Sequence, residues 1–169
     1  MTVQIEPFDP AKTYTDLKKF DCGNPMINRF VRGSLKAQVK AGTSVAWVLI
    51  DTANKDKFVG FYTLMMAYVS QSLLSSLSPP SLPSMVPCTR LVMLGVDVVY
   101  QGNNLGKRLM KHALRETKRA ANLVGCRGMY LDADAKAIAF YTSLGFSALE
   151  APANSQGPTP MFLFKESFF

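Results

Sequence analysis

Leu94-Gly95-Val96-Asp97-Val98-Val99-Tyr100-Gln101-Gly102-Asn103-Asn104-Leu105-Gly106-Lys107-Arg108 is the stretch on which the reading of this chain turns. An apolar strand runs into a polar turn rich in Gly and Asn, and the turn opens a helix. Gly102, Asn103, Asn104 and Gly106 are residue types that tolerate left-handed backbone and close approach, so successive N–H groups can converge on one anion at a helix N-terminus. Such a nest binds phosphate without side-chain charge. Two better-known phosphate loops are excluded. Gly102 and Gly106-Lys107 are separated by three residues instead of four, and Arg108 stands where a Walker A loop needs Ser or Thr. The GxGxxG pattern is also absent. The same composition would serve a turn that merely lets a strand enter a helix, and the turn alone does not separate the two readings.

Outward from this turn, the pattern predicts a helix over Leu105–Val124 that buries Leu105, Leu109, Ala113, Ala120 and Val124. A strand follows at Met129–Asp132 and a helix at Ala135–Leu144. Short strands at Ser147–Glu150 and Met161–Phe164 flank a Pro/Asn/Gly loop. On the N-terminal side, Leu91–Asp97 is a strand. Before it, Pro79, Pro80, Pro83 and Pro87 mark a stiff surface connection between Ser75 and Arg90. Ser44–Asp51 and Lys57–Val69 form an antiparallel hairpin across a polar loop at 52–56. Ile27, Phe30, Val31 and Leu35 recur at helical spacing after Asn24, and Asp9-Pro10 opens an earlier helix carrying Tyr14 and Leu17. Val3–Ile5 starts the chain as a strand. Strand then helix, twice, implies parallel pairing in the second half, with antiparallel additions at its end.

At 169 residues and 48% hydrophobic, the chain fits one compact domain over 1–169 and is far from a disordered composition. The longest nearly unbroken apolar run, Phe58–Val69, is much shorter than the ~20 residues that a spanning helix needs, so no membrane partner is expected. The N-terminus carries no leader pattern, and a cytoplasmic location is expected. Cys22, Cys88 and Cys126 with a single histidine, His112, support neither a disulfide framework nor a metal site. The net charge of +7 suits a polyanionic partner or a phosphorylated cofactor, and equally plain solubility.

Gln101-Gly102-Asn103-Asn104-Leu105-Gly106 resembles the Q/RxxGxG/A pyrophosphate loop of the GNAT acetyltransferase superfamily, with Asn104 where the family has Gly. Phe20-Asp21-Cys22-Gly23-Asn24 with Asn28 and Phe30, Val96-Asp97 with Tyr100-Gln101-Gly102, and Ala139-Phe140-Tyr141 with Leu144-Gly145-Phe146 resemble one subgroup, the GNAT toxins of type II toxin-antitoxin modules. The resemblance implies an α/β GNAT fold with helices on both faces of a mixed sheet splayed between its fourth and fifth strands. It also implies acetyl-CoA in the splay and N-acetylation of aminoacyl-tRNA, which blocks translation. Carried over residue by residue, Leu94, Gly95 and Val96 would bond the pantetheine arm, and Gln101, Gly102, Asn103, Asn104, Leu105, Gly106 and Lys107 would cradle the pyrophosphate. Tyr141 matches the catalytic tyrosine. A homodimer and an antitoxin with a ribbon-helix-helix DNA-binding part are the implied partners.

Independently of the resemblance, Ala137, Phe140, Tyr141 and Leu144 fall at i, i+3, i+4 and i+7. Tyr141 therefore faces inward on a helix with Asp134 as N-cap and Gly145 as C-terminal cap. A phenol with pKa ≈ 10 can protonate a departing thiolate at neutral pH, although a packed core tyrosine would show the same spacing. Strand Leu91–Val96 carries no carboxylate to act as general base. An α-amine of pKa ~7.7 is neutral in roughly a sixth of molecules at pH 7, against fewer than about one in a thousand for lysine, which favours aminoacyl-tRNA over protein lysine.

Lys107, Arg108, Lys111, Arg115, Lys118 and Arg119 turn outward on the Leu105 helix. With Arg29, Arg32, Lys36 and Lys40 they form either a solvated face or a rim for an RNA backbone. Arg90 is the rim candidate nearest the binding strand. His112 reads as a surface residue, Trp47 as strand core, and Met65-Met66 as adaptable packing. Two rival functions share these features. A sibling enzyme acting on a small amine or a protein N-terminus would use the same cofactor residues, and a non-catalytic basic RNA-binding module would bind RNA without acetyl-CoA.

Overall fold

The computed structural model describes residues 1–77, 79, 81–149 and 157–168. Strand β1 is Val3–Pro7, followed by a single 3-10 turn at Leu17–Lys19. Helices α1 (Pro25–Gly33) and α2 (Leu35–Ala41) lead into the hairpin β2 (Val45–Asp51) and β3 (Lys57–Ser70). The short α3 (Gln71–Leu74) precedes β4 (Met85–Val96). Helix α4 (Leu105–Ala121), β5 (Gly128–Ala133), α5 (Ile138–Ser143), β6 (Ser147–Ala148) and β7 (Thr159–Phe164) complete the chain. The seven strands form one mixed sheet in the order β1-β2-β3-β4-β5-β7-β6, an α/β architecture of the kind the GNAT resemblance implies.

Residues 1–65 with 92–113 form one compact unit, and residues 66–91 with 114–169 a second. In the first, Phe20, Phe58 and Phe61 are fully buried, and Phe20 meets the other two edge-on at 5.2 and 5.8 Å. Burial of rings this size contributes about 1.5–3 kcal/mol each, and the edge-on pairing adds a smaller amount. Val31, Leu35, Val48 and Ile50 close the same core. In the second unit, Val69, Leu74, Val86, Cys88, Leu149 and Phe162 pack together. The parallel ladder of β4 with β5 covers Thr89–Leu91 against Met129–Leu131, while β5 pairs with β7 antiparallel through Ala133.

Several boundaries differ from those expected, each for a local reason. No α-helix opens at Asp9-Pro10. The Asp9 carboxylate accepts from the Ala11 N–H, the Tyr14 hydroxyl accepts from the Asp9 N–H, and Asp16 sits at φ 59°, so side chains capture donors a helix would need. The helix after Asn24 is two helices, because the weakly helical pair Gly33-Ser34 interrupts it. Its start is as expected: Asn24 accepts from Met26 and Ile27 N–H, with Pro25 at the first position.

Strand β4 begins six residues early, at Met85, and contains Pro87. The proline carbonyl still accepts, from the Arg127 N–H at 2.8 Å, and Val86 and Cys88 beside it are buried. Helix α4 stops at Ala121 and leaves Val124 exposed; its buried side also includes Met110, Leu114 and Thr117. Met65 and Met66 are exposed instead of packed, and Trp47 is half-buried. The expected strand end at Glu150, the loop that follows it to 156, and Ser78 and Pro80 of the proline-rich segment lie outside the described residues.

Candidate active site

The turn after β4 is built by a lattice of side-chain bonds that leaves its main chain open. A bulge in the β2–β3 register skips Val59, whose carbonyl accepts from the Asp97 N–H at 2.8 Å. Gly60 beside it has no room for a side chain, since a Cβ there would stand 2.9 Å from the Gly95 carbonyl oxygen. Asp97, buried, accepts from the N–H groups of Asp21 and Val99, and the Val98 N–H donates to the Asp21 carbonyl. The Gln101 amide donates to the carbonyls of Cys22 and Val96, and the Asn103 amide to that of Tyr100.

The Phe20–Asn24 segment is thereby stitched to the strand end. Asn28 holds it from the other side, accepting from the Cys22 N–H and donating to the Asp21 carboxylate. The Gly23 N–H and the Asn28 amide together keep that carboxylate below its usual range. Cys22 packs on Gly95, where an added Cβ would meet its sulfur at 3.2 Å.

The role expected for Gln101 is therefore divided. Its side chain holds the turn, and only its backbone remains to face a ligand. Gly102 at φ 85° and Asn104 at φ 59° bend the chain as the composition requires. Asn104 thus takes, as a non-glycine residue, the left-handed conformation expected at that position. The first main-chain bond of α4 runs from the Arg108 N–H to the Asn104 carbonyl at 3.0 Å, leaving the N–H groups of Leu105, Gly106 and Lys107 without a helical acceptor. Among the described residues, no N–H from Gly102 to Asn104 has an acceptor within hydrogen-bond geometry either. Open space faces Gly102. These donors suit a diphosphate.

In the second unit, Tyr141 is buried on α5 between Phe140 and Phe146, with Leu144 buried one turn on. Gly145 at φ 99° ends the helix as expected. Asp134 stands at the expected N-cap position, before the 3-10 turn Ala135–Ala137 that leads into α5; its carbonyl accepts from the Ala137 N–H, while its side chain makes no capping bond. Of the six tyrosines, Tyr14, Tyr62, Tyr100 and Tyr130 have bonded hydroxyls and Tyr68 is exposed. Tyr141 is the buried one whose hydroxyl has no partner among the described residues. Burial, aided by the Asp134 charge, pushes its pKa up to about 12, so the phenol is neutral at every physiological pH.

The site thus combines a donor-lined turn at a helix start with a buried tyrosine ring whose hydroxyl is free to meet a ligand. Residues 17–146 match the acetyltransferase (GNAT) family. The chain belongs to that family. Among GNAT relatives, the tRNA-acetylating toxin of Mycobacterium tuberculosis is 30% identical over 132 residues, 78% of each chain. A solved bacterial toxin is 36% identical with TM-score 0.94, covering 99% of this chain and 93% of that one. The toxin AtaT, solved with acetyl-methionyl-tRNAfMet, is 27% identical with TM-score 0.84, covering 98% and 96%. A Tyr-to-Phe mutant of AtaT has been solved with acetyl-CoA and the C-terminus of the antitoxin AtaR, at 26% identity and TM-score 0.79, covering 98% and 95%.

The remaining candidates of this GNAT chain are distributed over both units. Arg29, Arg32, Lys36 and Arg108 are exposed in the first, where the Arg32 guanidinium donates to the Phe20 carbonyl. Arg32 and Lys36 line one cavity; Arg29 does not. Arg90, in the second, is tied to Asp132 at 2.9 Å and lies over the Tyr130 ring, with its Nε buried and unpartnered. Lys107 to Arg119 form the outward basic row on α4 as expected, with Arg119 paired to Glu116. His112, expected at the surface, is half-buried. Its Nδ1 lies 2.7 Å from the Tyr62 hydroxyl, and its ring lies 4.4 Å from that of Trp47. No group of three or more potential metal-binding side chains occurs among the described residues, and no described helix is long and apolar enough to cross a membrane.

Sequence reading missed the buried carboxylate Asp51, which accepts from Thr2 and Ala53 N–H, the Asn54 amide and the Tyr100 hydroxyl. These bonds hold its pKa down at about 2. Through Tyr100, Asp51 anchors the start of the phosphate-type turn. An acid at the end of an apolar strand was the available signal.

Proposed function

We propose that this protein transfers the acetyl group of acetyl-CoA to the α-amine of aminoacyl-tRNA and so blocks translation, as the toxin of a toxin-antitoxin pair. The observation that carries the reading is the row of unpartnered main-chain donors from Gly102 to Lys107 at the start of α4, in a GNAT chain similar to a tRNA-acetylating toxin. Those amides take the diphosphate of acetyl-CoA, and the main chain of Leu94, Gly95 and Val96 takes its pantetheine arm. Arg29, Arg32, Lys36, Arg90 and Arg108 are offered to the RNA backbone. In this reading residues 1–169 act as one catalytic domain, in the cytoplasm, as a homodimer held in check by an antitoxin of the ribbon-helix-helix kind.

The chemistry needs few groups. The α-amine attacks the thioester carbonyl directly, with no acyl-enzyme. Main-chain N–H groups of β4 stabilise the oxyanion. As the C–S bond breaks, the Tyr141 hydroxyl donates to the departing sulfur, and the proton released by the attacking amine restores the phenol. Amine and thioester become amide and thiol with no net change in protons. Complete transfer from a phenol near 12 to a free thiolate of ordinary pKa ≈ 8.5 would by itself cost about 5 kcal/mol. Donation to sulfur is therefore coupled to return of the attacking amine's proton to the phenol oxygen.

Incubation with total charged tRNA and radiolabelled acetyl-CoA tests the reading. Label should appear in N-acetyl-aminoacyl esters that are released by mild base. Label only in free amines or protein N-termini, with tRNA unlabelled, would overturn the substrate; RNA binding without any acetyl-CoA-dependent thermal shift would overturn the enzyme.

A further inference from the structure

Among the described residues, the Nε of Arg90 is the one side-chain nitrogen or oxygen that is sealed from solvent and bonded to nothing. It belongs to a small cluster in the second unit that the transfer chemistry does not use. Arg90 stands opposite Tyr130 in the parallel β4–β5 ladder, one rung before the ladder ends at Leu91 and Leu131, and Asp132 lies just past that end. The Asp132 carboxylate divides its two oxygens. One accepts from a terminal N–H of Arg90 at 2.9 Å, the other from the Tyr130 hydroxyl at 2.8 Å. The guanidinium lies over the Tyr130 ring, 5.8 Å from its centre.

An arginine and a carboxylate left to themselves pair as two forks, two N–H groups on two oxygens. Here the Tyr130 hydroxyl occupies the second oxygen, so a single bond holds the guanidinium. Its Nε–H meets neither acceptor nor water, although the side chain as a whole is 41% exposed. An ion pair with this exposure contributes little to stability, so the bond exchanges readily for a better one. A phosphodiester supplies what is missing: two unbridged oxygens, one for the Nε–H and one for a terminal N–H once the guanidinium swings clear. We propose that Asp132 and Tyr130 are positioning residues that park Arg90 where β4 and β5 stop pairing and release it to a phosphodiester of the RNA. The handover rests on the RNA contact proposed above for Arg90.

Fluorescence anisotropy with a labelled tRNA transcript, on the full chain and its single and double variants, tests the handover; circular dichroism melts check that each variant folds. Arg90→Ala should weaken binding about fivefold and lower the slope of log Kd against log salt by about one. Tyr130→Phe keeps the ring but frees the second Asp132 oxygen to grip the guanidinium, and should weaken binding about threefold. Asp132→Asn removes the charge that holds Arg90 and should tighten binding about threefold. In an Arg90→Ala background both effects should vanish, and the Kd of acetyl-CoA should stay the same throughout. Weaker binding in both Tyr130→Phe and Asp132→Asn would mark a purely structural cluster and overturn the proposal. So would effects that persist without Arg90, which would reduce them to net charge, or a shift in acetyl-CoA affinity, which would place Arg90 on the cofactor's phosphates. Acetylation of charged tRNA by the parent is read alongside. A parent that acetylates tRNA while Arg90→Ala binds it normally overturns the handover alone, whereas a parent that binds no tRNA overturns the RNA reading with it.

Discussion

In the turn at 97–107, the polar side chains of Asp97, Gln101 and Asn103 are committed to the scaffold and the main chain is left open. Around Tyr141 the arrangement is reversed. The Tyr141 carbonyl accepts from the Leu144 and Phe146 N–H groups, the Gly145 N–H donates to Thr142, and a side-chain hydroxyl is what remains open to a ligand. The two sites therefore differ in what a mutation can remove. In the proposed function, a diphosphate held by main-chain amides would resist side-chain substitution unless the backbone itself moves, whereas the proposed proton donor would disappear with a single oxygen atom.

The sharpest way to break this contrast is Tyr141→Phe. Turnover on charged tRNA should fall by about 10²–10⁴, the range expected for loss of a general acid, while the Kd of acetyl-CoA measured by calorimetry is unchanged. Equal losses in both would place the tyrosine in binding instead. Asp97→Ala attacks the other site through its scaffold. Leaving the Asp21 and Val99 amides without acceptors should cost about 2–3 kcal/mol in urea unfolding and raise the KM for acetyl-CoA with less effect on kcat. A KM that does not move would mean the turn holds its shape without the clamp.

The acid limb comes next. The Asp51 carboxylate titrates at about 2 in the folded chain against an ordinary value near 3.9, so its contribution is complete above about pH 4 and is lost as the pH falls through about 2. Asp51→Asn should flatten that part of the stability profile relative to the parent, and parallel acid limbs would contradict the assignment. The smallest effect belongs to Asn104→Gly. At φ 59° both residues are at ease, so acetyl-CoA affinity should change by under about threefold, whereas the β-branched Asn104→Val should cost about 1–2 kcal/mol. Titration of the three proteins with acetyl-CoA decides it.

What the sequence made legible follows the same division. A main chain forced to positive φ must be written in Gly and Asn, so the turn could be read directly. Tyr141 could be read because its neighbours keep helical spacing. The helix expected after Asp9 failed because the bond from the Asp9 N–H to the Tyr14 hydroxyl depends on how the chain folds back, which periodicity does not encode. The early start of β4 was hidden by Pro87, a residue that loses a donor yet keeps its acceptor. The structural role of the Gln101 amide is not legible in the sequence, because its partners, the Cys22 and Val96 carbonyls, are brought to it only by tertiary structure. Met65 and Met66 look like core in any apolar run, and only their positions on β3 show them facing outward.

The Tyr141 ring is buried, but its oxygen is not among the enclosed polar atoms left without a partner, so open space reaches it in the resting protein. A donor that water can reach escapes the cost of about 1–3 kcal/mol that a sealed, unmatched one carries. The phenylalanine variant should therefore melt close to the temperature of the parent when neither carries a ligand.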